Sequence, residues 1–308
     1  MKMTEPVDRS GVALRGSLRL NEPMAKHLSW RAGGVAARAY VPADRADVAA
    51  FLTTLPRGEP VCFVGLGSNL LVRDGGFHGT VVLMHSPHGA MRIEGDLIYA
   101  EASVACPKVA RLAATRGFEG AEFLAGVPGT VGGALAMNAG CYGSEIWDAV
   151  AKALTISRAG RLNERKPADF EVGYRRVALR ESKLGEEEWF LAAWLRFRAG
   201  DQKRARARIK ELLAKRIAEQ PLELPNAGSV FRNPPGKYAA RLIEACGLKG
   251  YEIGGARISE KHANFIVNPK GRARASDIEA LIEHARDSVK ERFGIELVPE
   301  VRIIGEAV

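Results

Sequence analysis

The chain has 308 residues, 46% hydrophobic and 26% charged, a balance that suits a globular protein with more than one core and excludes disordered and fibrous classes. Its formal net charge of +9 favours anionic partners. The four cysteines, Cys62, Cys106, Cys141 and Cys246, are far apart and form no C-x-x-C pair, which argues against a disulfide framework and a cysteine zinc site and predicts reduced core thiols.

The N-terminal stretch MKMTEPVDRSGVALRGSL has no apolar run and no small-residue cleavage site, so a cytoplasmic protein is expected. Asp44 can cap a helix that buries Val48, Phe51, Leu52 and Leu55. Val61 to Val64 reads as a buried strand running into Gly65-Leu66-Gly67-Ser68-Asn69, and Leu70-Leu71-Val72 reads as a second strand. A dinucleotide fingerprint needs a third glycine and a following helix, whereas Leu70 and a β-favouring run stand there. By itself the segment is either a hairpin turn or a phosphate-binding nest to which Ser68 and Asn69 add side-chain donors. His85 and His88 form an H-x-x-H beside Pro87 without an acidic ligand pattern, and no metal is expected.

Pro107 can open a helix that stops near Gly117. From Phe123 to Ser144 the chain runs 22 residues without a charge, long enough for a membrane span. Six glycines, Pro128 and Asn138 defeat that reading, since each interior glycine costs ~1 kcal/mol and a proline ~3 kcal/mol in a helix. What remains is an apolar backbone that turns repeatedly and comes close to something, for which a large, flat, partly apolar ligand is the natural candidate. Further on, Ile209, Leu212, Leu213 and Ile217 fall at helical spacing within and just beyond the basic run Lys203 to Arg216, so the basic residues form a solvated face, and no aromatic residues interleave to stack bases. Pro221 and Pro225 break this helix and suggest a boundary near Glu219-Gln220-Pro221. Ser276 and Glu279 read as a capping box for a helix that buries Ile278, Leu281, Ile282, Ala285 and Val289 and ends at Gly294. Two strands, Ile295 to Val298 and Val301 to Ile304, bracket Pro299-Glu300. The order of elements is α+β, without repeats or low-complexity tracts.

Four separated motifs span nearly the whole chain: Gly65 to Val72; Gly126-Val127-Pro128-Gly129-Thr130-Val131-Gly132-Gly133-Ala134 through Asn138-Ala139-Gly140; Asn226-Ala227-Gly228-Ser229-Val230-Phe231-Arg232-Asn233-Pro234; and His262-Ala263-Asn264-Phe265-Ile266-Val267-Asn268. On these motifs the chain resembles the family of UDP-N-acetylenolpyruvoylglucosamine reductases, FAD enzymes that make UDP-N-acetylmuramate for peptidoglycan. The first two motifs are similar to those of many flavoproteins with a vanillyl-alcohol-oxidase-type (PCMH-type) FAD domain, and the last two are more specific to the reductase. The resemblance implies an FAD-binding domain of two subdomains, residues 1–85 and 86–218, followed by an α+β substrate domain, residues 219–308. It implies bound FAD, NADPH as co-substrate with NADH left open, and a UDP-sugar enolpyruvyl ether as substrate. Neither nucleic acid nor membrane is expected as a partner, and a monomer is expected.

By the same resemblance FAD lies against Gly65, Gly67, Ser68, Asn69 and Leu70 and against Pro128, Gly129, Thr130, Gly133, Ala136, Asn138 and Gly140. Ser229 is implied as the proton donor, Arg175 as the residue that grips the substrate carboxylate, and Glu300 as the catalytic glutamate. Tyr174, Arg232, Asn233 and Tyr238 are candidates for substrate contact. The family often has a serine two positions beyond the arginine, whereas Val177 stands here, and adjacent Arg176 leaves the assignment open by one residue. No tyrosine occurs between Tyr174 and Tyr238, so the chain resembles a shorter subclass without an inserted tyrosine loop over the sugar, and what closes over the substrate is left open. An FAD oxidase of the same fold and a basic nucleic-acid-binding protein are the alternatives.

Overall fold

The computed structural model describes residues 13–85 and 88–308. Most of the N-terminal stretch from which a cytoplasmic protein is expected, and Pro87 of the H-x-x-H loop, lie outside these residues. The chain forms two compact units, each assembled from separate stretches: Met1–Glu22, Ala37–Gly65 and His78–Ile209 in the first, and Pro23–Ala36, Leu66–Phe77 and Lys210–Val308 in the second.

The first unit contains two sheets. One has four strands in the order Ser17–Pro23, Val35–Val41, Phe77–Leu83, Val61–Val64, with the last two parallel. The other is antiparallel, with five strands in the order Leu162–Arg165, Val150–Ser157, Glu188–Arg196, Leu97–Glu101, Met91–Glu94. Its central strand, Glu188–Arg196, carries an unbroken apolar run from Trp189 to Leu195 and is buried from Glu188 to Leu195, the pattern of a strand covered on both faces. Tyr40, Val82, Leu154, Trp189 and Trp194 of the strands form one core with Val48, Phe51 and Leu52 of helix α1 (Arg45–Thr54). Asp44 caps α1 as expected, its carboxylate accepting from the Asp47 N–H at 3.0 Å. Helix α2 (Cys106–Thr115) has Pro107 in its first turn. The Cys106 thiol beside it is fully buried, which pushes its pKa up to about 12 and keeps it protonated.

The glycine-rich run breaks into short pieces. A 3-10 turn, Glu122–Gly126, precedes helix α3 (Val131–Met137), which Asn138 ends with a left-handed φ of 43°. A small hairpin of Gly140–Cys141 and Ser144–Glu145 follows. Among the described residues no helix is long and apolar enough to cross a membrane. Helix α4 (Gln202–Glu219) buries Ala205 and Leu212, but Ile217, expected on the apolar face, is 62% exposed, so the stripe ends about a turn early.

The second unit is built around a parallel pair, Leu70–Val72 with Arg302–Ile304, and a three-stranded antiparallel sheet, Glu252–Ile253, Ala256–Ile258 and Ile266–Val267. Helices α5 (Ala239–Ala245) and α6 (Ala275–Phe293) contribute Ile243, Ile278, Leu281 and Ile282 to a core with Trp30, Leu71 and Phe231. Three local expectations change. The strands flanking Gly65–Asn69 pair with different partners, so the turn joins two sheets and is no hairpin. Ser276 lies inside α6, which starts at Ala275; the Asp277 carboxylate accepts from the Arg274 N–H at 2.9 Å, and Asp74 accepts from Ala275 and Ser276, both at 2.9 Å. Glu279, expected in the capping box, instead forms a bidentate pair with Arg73. Residues 295–298 form no strand; this stretch buries Leu297 and makes its main-chain pairing at Phe231 and Pro299.

Candidate active site

In the first unit Gly65 lies against Thr130, so that any Cβ at position 65 would collide with the threonine side chain and the first two motifs meet there. Thr130 is buried, and its Oγ1 accepts from the Gly133 N–H at 3.5 Å. The other amides of the first turn of α3 are also engaged: Val131 donates to the Val104 carbonyl at 2.8 Å, Gly132 to Ala102 at 3.0 Å and Ala134 to Thr130 at 2.9 Å. These four N–H groups therefore serve the fold. Gly133 itself is exposed on α3 with an ordinary helical φ, and an added Cβ would meet only Thr130 Oγ1 at 3.8 Å. Pro128 is exposed beside it, Ala136 is partly exposed on the same helix, and the Gly129 carbonyl accepts from the Cys106 N–H at 2.9 Å.

Asn138 and Gly140 converge on Arg175. The Arg175 guanidinium donates to the carbonyls of Asn138 at 3.1 Å and Gly140 at 2.7 Å and lies 3.7 Å from the Glu145 carboxylate. Asn138 Nδ2 donates to Glu145 at 2.6 Å and to the Gly173 carbonyl at 3.1 Å, which closes the network. Arg175 is the second residue of a two-residue loop between Phe170–Gly173 and Arg176–Leu179, with φ at +54°. Glycine or asparagine is the usual occupant of such a position, and an arginine kept there is the kind of local strain that collects at functional sites. Tyr174 is exposed, with Arg175 Cζ 5.0 Å from its ring centre, and Arg176 is exposed on the neighbouring strand. Glu145 carries no sequence signal beyond ending an uncharged run.

In the second unit Gly67 has φ of +60° and packs so closely that a Cβ would approach Leu28 Cα to 2.8 Å, while its carbonyl accepts from the Ser29 N–H at 3.1 Å. Ser68 is partly buried, and Leu70 opens the strand that pairs with Arg302. Asn69 Nδ2 donates to the Glu300 carbonyl at 3.2 Å, and the Asn69 carbonyl accepts from Arg302 at 3.1 Å. Glu300 in turn donates its N–H to the Val230 carbonyl at 2.7 Å, and Arg232 donates to Val298 at 2.9 Å, with Phe231 paired opposite Pro299. Proline is tolerated at 299 because the ladder bonds fall on its two neighbours. Ser229 and Glu300, far apart in sequence, therefore sit on hydrogen-bonded neighbouring segments.

The other candidates on this segment are tied locally. Asn233 Oδ1 accepts from the Ala239 N–H at 3.1 Å at the start of α5. Tyr238 is 59% exposed, with Arg241 Cζ 5.1 Å from its ring centre. Arg232 is partly buried.

Residues 36–164 match the model of an FAD binding domain, and residues 220–304 match that of the UDP-N-acetylenolpyruvoylglucosamine reductase C-terminal domain. The chain is 55% identical to the UDP-N-acetylenolpyruvoylglucosamine reductase of Thiobacillus denitrificans, across 99% of this chain and 98% of the relative. It is 53% identical to that of Methylococcus capsulatus, across 100% of this chain and 99% of the relative. The crystal structure of the UDP-N-acetylenolpyruvylglucosamine reductase from Thermus caldophilus superposes with a TM-score of 0.77 at 29% identity, covering 94% of this chain and 99% of that one.

Proposed function

The chain belongs to the UDP-N-acetylenolpyruvoylglucosamine reductase family of FAD-binding oxidoreductases, and we propose that it reduces the enolpyruvyl ether of UDP-N-acetylglucosamine to UDP-N-acetylmuramate with NADPH, taking the proton from Ser229. FAD, when bound, would supply the hydride-transfer chemistry that links NADPH to the methylene carbon of the enolpyruvyl group. The open space at Gly133 suits such a ligand: helical glycine is costly, its φ is ordinary and no protein atom needs the space, so close approach of a flat ligand is the remaining reason for it. Pro128, Gly129 and Ala136 are assigned to the same surface with Thr130 buried beneath it, and Gly65, Gly67, Ser68, Asn69 and Leu70 to the second holding loop. Asn138 and Gly140 act on this reading through Arg175, whose fork their carbonyls hold.

Addition of hydride leaves carbanion character beside the carboxylate, and the chain must stabilise that charge and protonate the adjacent carbon. Arg175 supplies a permanent positive fork for the carboxylate; binding exchanges its contacts to the Asn138 and Gly140 carbonyls for the stronger charged acceptor. The Ser229 hydroxyl gives its proton to the carbanion and recovers it through water, since a lasting alkoxide is too basic to persist. Glu300 hydrogen-bonds the enolic carboxylate next to it. The observation that carries the assignment is the Glu300 to Val230 hydrogen bond, which brings the two candidate groups onto adjacent backbone.

Tyr174, Arg232, Asn233 and Tyr238 are assigned to the UDP-sugar, and Arg232 is the natural partner of its diphosphate. We further read the chain as a cytoplasmic monomer of the shorter subclass that does not bind nucleic acid, with residues 1–85, 86–218 and 219–308 as its functional segments. The test is NADPH oxidation by the purified protein with and without UDP-N-acetylglucosamine enolpyruvate. Oxidation that depends on the sugar supports the reading. Rapid oxidation by oxygen that the sugar leaves unchanged overturns it in favour of an oxidase.

A further inference from the structure

The segment that carries Ser229 runs antiparallel to residues 264–268. At one end the Asn268 N–H donates to the Pro225 carbonyl at 3.0 Å and Asn226 pairs with Val267; at the other the Val230 N–H donates to the Asn264 carbonyl at 2.9 Å. Between these anchors the Ser229 side is one residue longer than its partner, the arrangement of a β-bulge, which re-aims a side chain at the cost of an unpaired residue. Gly228, with φ of +76° and open space where a Cβ would stand, takes up the extra residue just before Ser229. A bulge leaves the following backbone free to rotate unless something fixes it. The buried Asn264 side chain is placed to do so, its Oδ1 accepting from the Phe231 N–H at 2.9 Å and its Nδ2 donating to the Phe231 carbonyl at 2.8 Å. The other edge of the segment is already occupied by Glu300 and Val298.

We propose that Asn264 is a positioning residue for protonation of the substrate: its amide completes a missing strand beside Phe231, locks the backbone that leaves the bulge, and so fixes the direction of the Ser229 hydroxyl. This rests on Ser229 being the proton donor. An asparagine used for fold alone would affect every activity of the protein alike, whereas one that acts through Ser229 affects only the step that needs its proton.

The experiment follows the flavin absorbance of the FAD-loaded protein by stopped flow, first during reduction by NADPH and then during reoxidation by the enolpyruvyl sugar, for Asn264→Ala, Asn264→Asp, Ser229→Ala and the Ser229→Ala/Asn264→Ala double variant. Reduction is expected near the parent rate in all of them. Reoxidation is expected to slow by up to ~10²-fold in Asn264→Ala, the scale of a misplaced catalytic group, and the double variant is expected to be no slower than Ser229→Ala. In Asn264→Asp a protonated carboxyl can still donate to the Phe231 carbonyl and an ionised one repels it. The Asn264 N–H donates to His262 Nδ1 at 3.3 Å, so the reoxidation rate is taken as a ratio to the parent chain, which carries the same His262; that ratio is expected to fall between about pH 5 and about pH 8, where a buried carboxyl ionises. Additive losses in the double variant, equal losses in both half-reactions, or a ratio that is flat with pH would overturn the proposal. A slow Ser229→Ala beside normal Asn264 variants removes this inference and leaves the proton donor standing, while a Ser229→Ala that reoxidises at the parent rate removes both.

Discussion

The side-chain amide of Asn69 donates to the main-chain carbonyl of Glu300 at 3.2 Å, across 231 positions of sequence. One residue of the first glycine loop thereby holds the backbone of the candidate catalytic glutamate, whose N–H holds Val230 next to Ser229. Two hydrogen bonds thus connect the first glycine loop to the segment that carries Ser229.

Replacing Ser229 by alanine is expected to leave reduction of the flavin by NADPH intact and to slow reoxidation by the enolpyruvyl sugar by ~10²- to 10⁴-fold, the span of a lost general acid. Cysteine should restore part of the rate because a thiol also donates a proton. The same stopped-flow traces decide it, and equal damage to both half-reactions would mean that Ser229 only shapes the site.

The two motif glycines Gly65 and Gly133 should respond differently to a side chain. Gly65→Ala drives a methyl group into Thr130 and is expected to lower stability by about 1–3 kcal/mol, the range of overpacking. Gly133→Val meets open space and should cost the fold little, but it should release FAD. Urea midpoints of the flavin-free protein, set beside flavin content after gel filtration, separate the two effects.

Asp74→Ala removes the acceptor for the N–H groups of Ala275 and Ser276 at the start of α6. The expected cost is about 1–2 kcal/mol, as for other lost N-caps. Ser276→Ala should cost far less, since that residue lies inside the helix. Similar losses for the two variants in thermal unfolding would reverse the assignment of the cap.

Acid stability should depend on Glu188. Burial pushes its pKa up, but hydrogen bonds and charge from Arg165 and the hydroxyl of Thr155 outweigh this and hold the carboxyl below its usual value. A folded pKa below the unfolded one means that the unfolded chain binds the proton first, so the stabilisation is full above the ordinary carboxyl range of about pH 4.5 and is lost as pH falls through the folded value. Glu188→Gln is therefore expected to be less stable than the parent at neutral pH, with the gap narrowing in acid. Urea unfolding from about pH 3 to about pH 7 measures it, and a gap that widens in acid would show the sign to be wrong.

Local patterns survived where a side chain acts on its own few neighbours. The Asp44 cap, the Pro107 start and the buried face of α6 all follow from short-range rules, and all three stand in the structure. The sequence by itself was also enough to reveal the family, because four motifs in fixed order constrain the chain more tightly than any single one. It left a hairpin open at Gly65–Asn69 and placed a capping box at Ser276 and Glu279 and a strand at 295–298, and tertiary pairing displaced all three. In each case the deciding partner comes from far along the chain: Arg302–Ile304 for the strand after the turn, Asp74 and Arg73 for the start of α6, Phe231 for Pro299. Sequence spacing carries no information about such partners, since hydrogen bonds between distant segments depend on which backbones the fold brings side by side. For the same reason the role of Asn264 was hidden in a motif already noticed, and only the bulge opposite it gave its amide something to hold.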